Sequence, residues 1–176
     1  MKRRLIDIHG TYRPLPHANG RAGIRYVIVA TLDVRSGPWD RTVIEGFLSE
    51  TVIPIRLASA GRTSPLVQSL WFIYDDGSLW CCTQREAVLT RRLIANPRCG
   101  FEVSGDSPPY RGVRGTATAE VLPDRAADML PRLIDRYLGD ESNQLSRWLL
   151  SRLDREVAIR LHDLRVTSFD FTPRMS

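Results

Sequence analysis

The chain has 176 residues, 43% hydrophobic and 26% charged, with a formal net charge of +5. That balance excludes a disordered chain and suits one globular domain with a substantial core. Lys2 is the only lysine, so the positive charge rests on arginines spread along the sequence, a pattern that argues against a nucleic-acid partner.

Residues 1–23, rich in Arg, Pro, Gly and His, read as an irregular arm, and the β-branched run at 24–34 adds a strand to it. We divide the chain accordingly into an arm at 1–35, with that extra strand, and a main domain at 36–176. Ser36-Gly37-Pro38 is expected to open a helix with Val43, Ile44, Phe47 and Leu48 on one face. Antiparallel strands follow: "VIPIRLASA" with Ile53, Ile55 and Leu57 on one side, then "LVQSLWFIY", a tight turn at Asp75-Asp76-Gly77, and "SLWCC". A helix from Arg85 to Ala95 should stop at Asn96-Pro97, with "RCGFEV" and "RGVRGTATAEVL" as further strands. Residues 124–138 read as a helix that Pro131 should kink or split. The next helix, "NQLSRWLLSRLDRE", puts Leu145, Trp148, Leu149 and Leu153 on one stripe. "EVAIRLHDLRVTSFDF" ends the chain as strand, turn and strand. Six or more strands in hairpin order predict a mainly β, antiparallel barrel with flanking helices.

Cys81, Cys82 and Cys99 form no C-x-x-C, and with three histidines there are too few ligands at close spacing for a zinc site. They read as buried free thiols in a reducing compartment, and we expect a cytoplasmic protein. No stretch approaches 18 uninterrupted apolar residues, so no membrane contact is expected.

The chemistry centres on the passage from strand to helix at 79–101. Thr83-x-x-Glu86 matches a capping box, in which the hydroxyl and carboxylate satisfy the first free N–H groups of a helix. A helix N-terminus also suits phosphate, and Arg85 in the first turn would oppose the helix dipole unless an anion stood nearby. Arg111 and Arg114, three apart on one strand, face opposite sides, so only one of them reaches a shared site. Trp71, beside Gln68 and Ser69, either fills the core or lines a ring-binding slot. His9, His17 and His162 stand in no nucleophile–base spacing, and no H-E-x-x-H, P-loop or G-x-G-x-x-G occurs. Side-chain catalysis alone looks poor, which favours a borrowed cofactor.

The segments "IPIRLASAG", "SLWFIYDDGSLWCCT", "RRLIANPRCGFEV", "YRGVRGTATAEVL" and "VTSFDF" stand in this order over about two-thirds of the chain. In that order the sequence resembles the pyridoxamine 5'-phosphate oxidase-like flavin-binding split barrels. The resemblance implies a six-stranded antiparallel split β-barrel of Greek-key topology. It also implies a homodimer with two cofactor sites at the subunit interface. FMN would lie against Val67, Gln68, Ser69, Leu70 and Trp71. Its phosphate would meet Cys82, Thr83, Gln84, Arg85 and Leu89, with the strand of Arg111 or the helix of Trp148 from the partner subunit completing the pocket. Relatives that hold FMN tightly carry Arg or Lys where this chain has Ala87-Val88-Leu89. The resemblance therefore leaves FMN beside a deazaflavin or haem, and a flavin-dependent oxidoreductase beside a non-catalytic binding protein. No catalytic acid or base and no substrate is identified.

Overall fold

The computed structural model describes residues 32–139 and 143–175. The arm and most of the expected 24–34 strand lie outside the described residues; what is described of that strand is β1 (Leu32–Ser36). The other strands are β2 (Ile55–Ser59), β3 (Leu66–Leu70), β4 (Ile73–Asp75), β5 (Ser78–Gln84), β6 (Arg98–Ser104), β7 (Arg111–Leu122) and β8 (Glu156–Asp170). The helices are α1 (Arg41–Glu50), α2 (Val88–Ala95), α3 (Ala126–Leu138), α4 (Gln144–Leu150) and α5 (Thr172–Met175). The sheet runs β3-β2-β6-β7-β8-β5-β4 and curls into a split half-barrel, with β1 added alongside β8. Every ladder is antiparallel except β1–β8, which is parallel.

Strand alternation builds the interior. Ile55 and Leu57 of β2, Leu79 and Cys81 of β5, and Val157, Ile159 and Leu161 of β8 are all fully buried. On β8 the inward set then changes to Leu164, Val166 and Ser168. The change comes from a β-bulge: Asp163 and Leu164 stand opposite the single Ala117 of β7, and Asp163 sits at φ 52°. The closing segment is therefore one continuous strand, and the turn expected inside it is this bulge.

Other differences from the expected elements also have local causes. Helix α1 starts at Arg41, because the Asp40 side chain accepts from the Val43 N–H (2.9 Å) while Gly37 turns away at φ 109°. Its buried face is Ile44 and Leu48, with Val43 at the surface. "LVQSLWFIY" divides into β3 and β4, because the Phe72 N–H donates to the Tyr137 hydroxyl (3.2 Å) instead of a ladder. Pro131 does not split α3, whose stripe Ala126, Met129, Leu130, Leu133 and Ile134 is buried. One lost backbone bond is outweighed by that packing. The "NQLSRWLLSRLDRE" segment is not one helix: α4 stops at Leu150 and a short 3-10 turn, Leu153–Arg155, leads into β8. Leu145 and Trp148 of the expected stripe are 46% and 50% exposed.

Helix α3 lies on the outer face of the β5–β8 ladder, where Trp80, Met129 and Ala158 form a second small cluster. Its cover runs out along β5, from Trp80 (buried) through Cys82 (half-buried) to Gln84 (exposed). That is where the site opens. No helix of the described residues is long and apolar enough to cross a membrane.

Candidate functional site

Two hollows meet at the end of the β5–β8 ladder. The first is a cleft of about 420 Å³ lined by Ser69 and Leu70 at the end of β3, Trp71 just after it, Cys82 of β5, and Glu156 at the start of β8. Its other wall is aliphatic: Leu130 and Leu133 of α3, and Leu145 and Leu149 of α4. Trp71 is held by Tyr137, whose ring stacks on it at 5.1 Å and 11°. The Tyr137 hydroxyl also donates to the Ile53 carbonyl (3.1 Å), so one side chain fixes both the strand break and the indole.

The second hollow, about 530 Å³, is polar and lined by Gln84, Arg85, Glu86, Arg152, Asp154 and Arg155. The Arg85 N–H donates to the Arg155 carbonyl (2.7 Å), which locks the turn after β5 to the 3-10 turn before β8. None of the guanidinium groups of Arg85, Arg152 and Arg155 has a carboxylate within salt-bridge distance among the described residues. Arg152 instead lies over the Trp148 ring, 4.4 Å from its centre. The three guanidinium groups share the hollow with the carboxylates of Glu86 and Asp154 but are tied to neither in an ion pair, which leaves them a surplus of positive charge free to meet an anion.

The hollows adjoin. Gln84 of the cationic one is paired in the ladder with Glu156 of the apolar one, and Arg155 precedes Glu156 in sequence. Burial raises the Glu156 carboxyl above the ordinary glutamate range, against the opposing field of Arg152. Burial first, and then the Glu156 charge, push the Cys82 thiol up to about 12, so it stays a neutral thiol at physiological pH.

The residues expected at the site fall into separate groups. Ser69, Leu70, Trp71 and Cys82 come together in the cleft, and Gln84 and Arg85 in the cationic hollow. Val67, 62% exposed, lies over the open sheet face beside Arg56, Glu102 and Arg114, in a different groove. Gln68 is half-buried within β3, opposite Leu57. Leu89 is fully buried in the barrel core. Arg111 begins β7 opposite Asp170 and borders neither hollow.

The capping box does not form. Thr83 is buried within β5, paired with Val157, and the ladder continues to Gln84 and Glu156. Helix α2 begins only at Val88, after an Ala87 that makes no side-chain cap. The Thr90 hydroxyl holds the corner instead, by donating to the Gln84 carbonyl (2.8 Å). Strand pairing wins because β8 starts early enough to extend the ladder past Thr83. Arg85 consequently sits in a turn ahead of the helix, and the tension with a helix dipole that the sequence suggested does not arise.

Glu156, Arg152 and Arg155 were not singled out from the sequence. Their signal was the "RLDREV" run, where alternating charge passes directly into an alternating apolar strand.

No protein-family model and no curated protein matches the chain. Solved structures do share its fold. A conserved hypothetical protein from Mycobacterium tuberculosis matches with TM-score 0.64 and 22% identity, over 79% of this chain and 89% of that one. An F420 reductase matches at 0.56 and 24%, over 65% and 89%. A candidate pyridoxamine 5'-phosphate oxidase from Listeria innocua matches at 0.55 and 16%, over 72% and 95%. At these identities the likeness is one of fold. The chain has the split-barrel fold of the pyridoxamine 5'-phosphate oxidase-like proteins.

Proposed function

We propose that this chain binds a flavin, FMN in the first instance, and works as an oxidoreductase on a small-molecule substrate. The observation that carries the reading is the junction at the end of β5. There an apolar cleft adjoins, across the Gln84–Glu156 ladder pair, a hollow whose three arginines make no ion pair among the described residues. The donor set fits the group. Leu130, Leu133, Leu149 and Trp71 would hold the ring, and Arg85, Arg152 and Arg155 would meet the phosphate. Arg152 and Arg155 would supply the cations that Ala87-Val88-Leu89 lacks. A bound flavin supplies hydride and single-electron transfer. The protein's part is to orient the ring and shield it from water. The exposed Leu145 of the cleft wall and the exposed Trp148 on the same short helix, 46% and 50% accessible, support a second copy closing the site in a homodimer.

The test is the visible spectrum of the purified protein and a titration with FMN. Micromolar or tighter binding is the expected result, whereas a colourless protein that takes up neither FMN, a deazaflavin nor haem overturns the reading.

A non-catalytic carrier is the second reading, favoured by one observation. The thiol of the cleft, Cys82, is held neutral, which leaves no activated nucleophile there. Reduction of the bound flavin by a nicotinamide donor, followed by turnover on an added acceptor, would exclude it.

A further inference from the structure

The two hollows meet at a side chain with a property of its own. Glu156 faces the apolar cleft, while its ladder partner Gln84 and its neighbour Arg155 line the cationic hollow. The residue is only 7% exposed. Among the described residues its carboxylate makes no hydrogen bond and no ion pair, and Arg152 acts on it only through its field. Ser69, Cys82 and the indole N–H of Trp71 are the other polar groups of the cleft, and none of them bonds to it. The Glu156 oxygens are not among the sealed, unpartnered atoms of the interior, so they open onto the cleft, and a ligand that fills the cleft leaves them unsatisfied unless it brings hydrogen-bond donors of its own.

We propose that Glu156 determines specificity by accepting hydrogen bonds from the hydroxyl groups of a polyol linker. That linker joins a planar ring in the cleft to an anionic group at Arg85, Arg152 and Arg155. The inference rests on the cofactor reading above and narrows its ligand class. Position decides the chemistry. Glu156 stands between the ring space and the anion space, so what passes it is the segment joining the two. A carboxylate offers only acceptors, so that segment must carry donors. The neighbouring guanidinium groups repel a cationic linker and leave neutral hydroxyls as the best match. The ribityl chain shared by flavins and deazaflavins meets this requirement. Haem does not, because its side chains carry no hydroxyl donors to offer Glu156.

Riboflavin and lumiflavin test the proposal, since they share the ring, both lack phosphate, and differ in the polyol. Fluorescence titration of the wild-type protein should show riboflavin binding at least about tenfold tighter. In Glu156→Leu the preference should fall below about threefold, the loss expected of a hydrogen bond to a charged acceptor. Glu156→Gln, which keeps the shape and one acceptor, should lie between them, and it carries the test if the leucine variant does not fold. Equal affinities in the wild type, or an undiminished preference in both variants, overturn the proposal. FMN bound without any riboflavin preference would sink this inference alone. Failure to bind any flavin, FMN included, would remove the cofactor reading with it.

Discussion

Cys81 and Cys82 are neighbours on β5, yet they inhabit different worlds. Cys81 points into the barrel among Leu79, Ile159 and Leu161 and is fully buried. Cys82 points outward into the cleft beside Glu156. The inner face is closed apolar packing whose polar exceptions, such as Ser59 and Thr83, are few and small. The outer face is finished only where α3 covers it, around Trp80 and Met129, and it then opens onto the Glu156 carboxylate and onto arginines that make no ion pair among the described residues. One strand thus supplies the stability of the fold on one side and the binding chemistry on the other. Substitutions on its two faces should separate these properties.

The largest separation is expected on the outer side. Replacing both Arg85 and Arg155 by alanine should weaken FMN binding roughly 100-fold or more, since each charge-assisted phosphate contact contributes about 1.5–3 kcal/mol. Riboflavin affinity and the unfolding midpoint should barely move, and calorimetric titration of both ligands checks this. Next come the paired substitutions Cys81→Ser and Cys82→Ser. The first places a hydroxyl in the closed core and should destabilise by about 1–3 kcal/mol; the second, at the cleft, should be near neutral, as read by chemical denaturation. Equal effects would break the division between the faces.

Tyr137→Phe removes the hydroxyl that joins the Phe72 N–H to the Ile53 carbonyl. It should cost about 1–2 kcal/mol while also loosening Trp71 and weakening ring binding. The smallest effect is a gain. The folded state raises the Glu156 carboxyl above its ordinary value of 4.5, so the native protein binds that proton more tightly than the unfolded chain does. Stability is therefore lost as pH rises from that value through the folded-state range. Glu156→Gln should lift the melting temperature by roughly 2–4 °C at pH 8 and by nothing at pH 4, read by thermal scans.

The sheet was legible because alternation is a local signal. Ile55 and Leu57, or Val157, Ile159 and Leu161, announce an inner face without any knowledge of their neighbours. The apolar half of the site was legible in part, since Ser69, Leu70 and Cys82 lie on strands, and Trp71 next to one, whose order the family resemblance supplies. The cationic half was not. Arg152 and Arg155 reach Arg85 only because a 3-10 turn, where periodicity suggested continued helix, folds them back against the end of β5. Thr83 failed as a cap for a related reason. A capping box is recognised from four residues, but the ladder that displaced it depends on Glu156, more than 70 positions away. Leu89 looked like part of a phosphate turn and proved to be core, because α2 starts one turn later than its capping signal indicated.

The bulge at Asp163 carries a consequence for the whole arrangement. Upstream of it the odd-numbered residues of β8 turn inward and Glu156 looks out; downstream the parity is reversed, with Leu164 and Val166 inward. The kink acts as a phase shifter that lets β8 serve β5 with one half and β1 with the other. Excise that single amino acid and both halves can no longer be in step. Either the anchoring of β1 is sacrificed, or the carboxylate is swung into oil and the pocket ceases to exist.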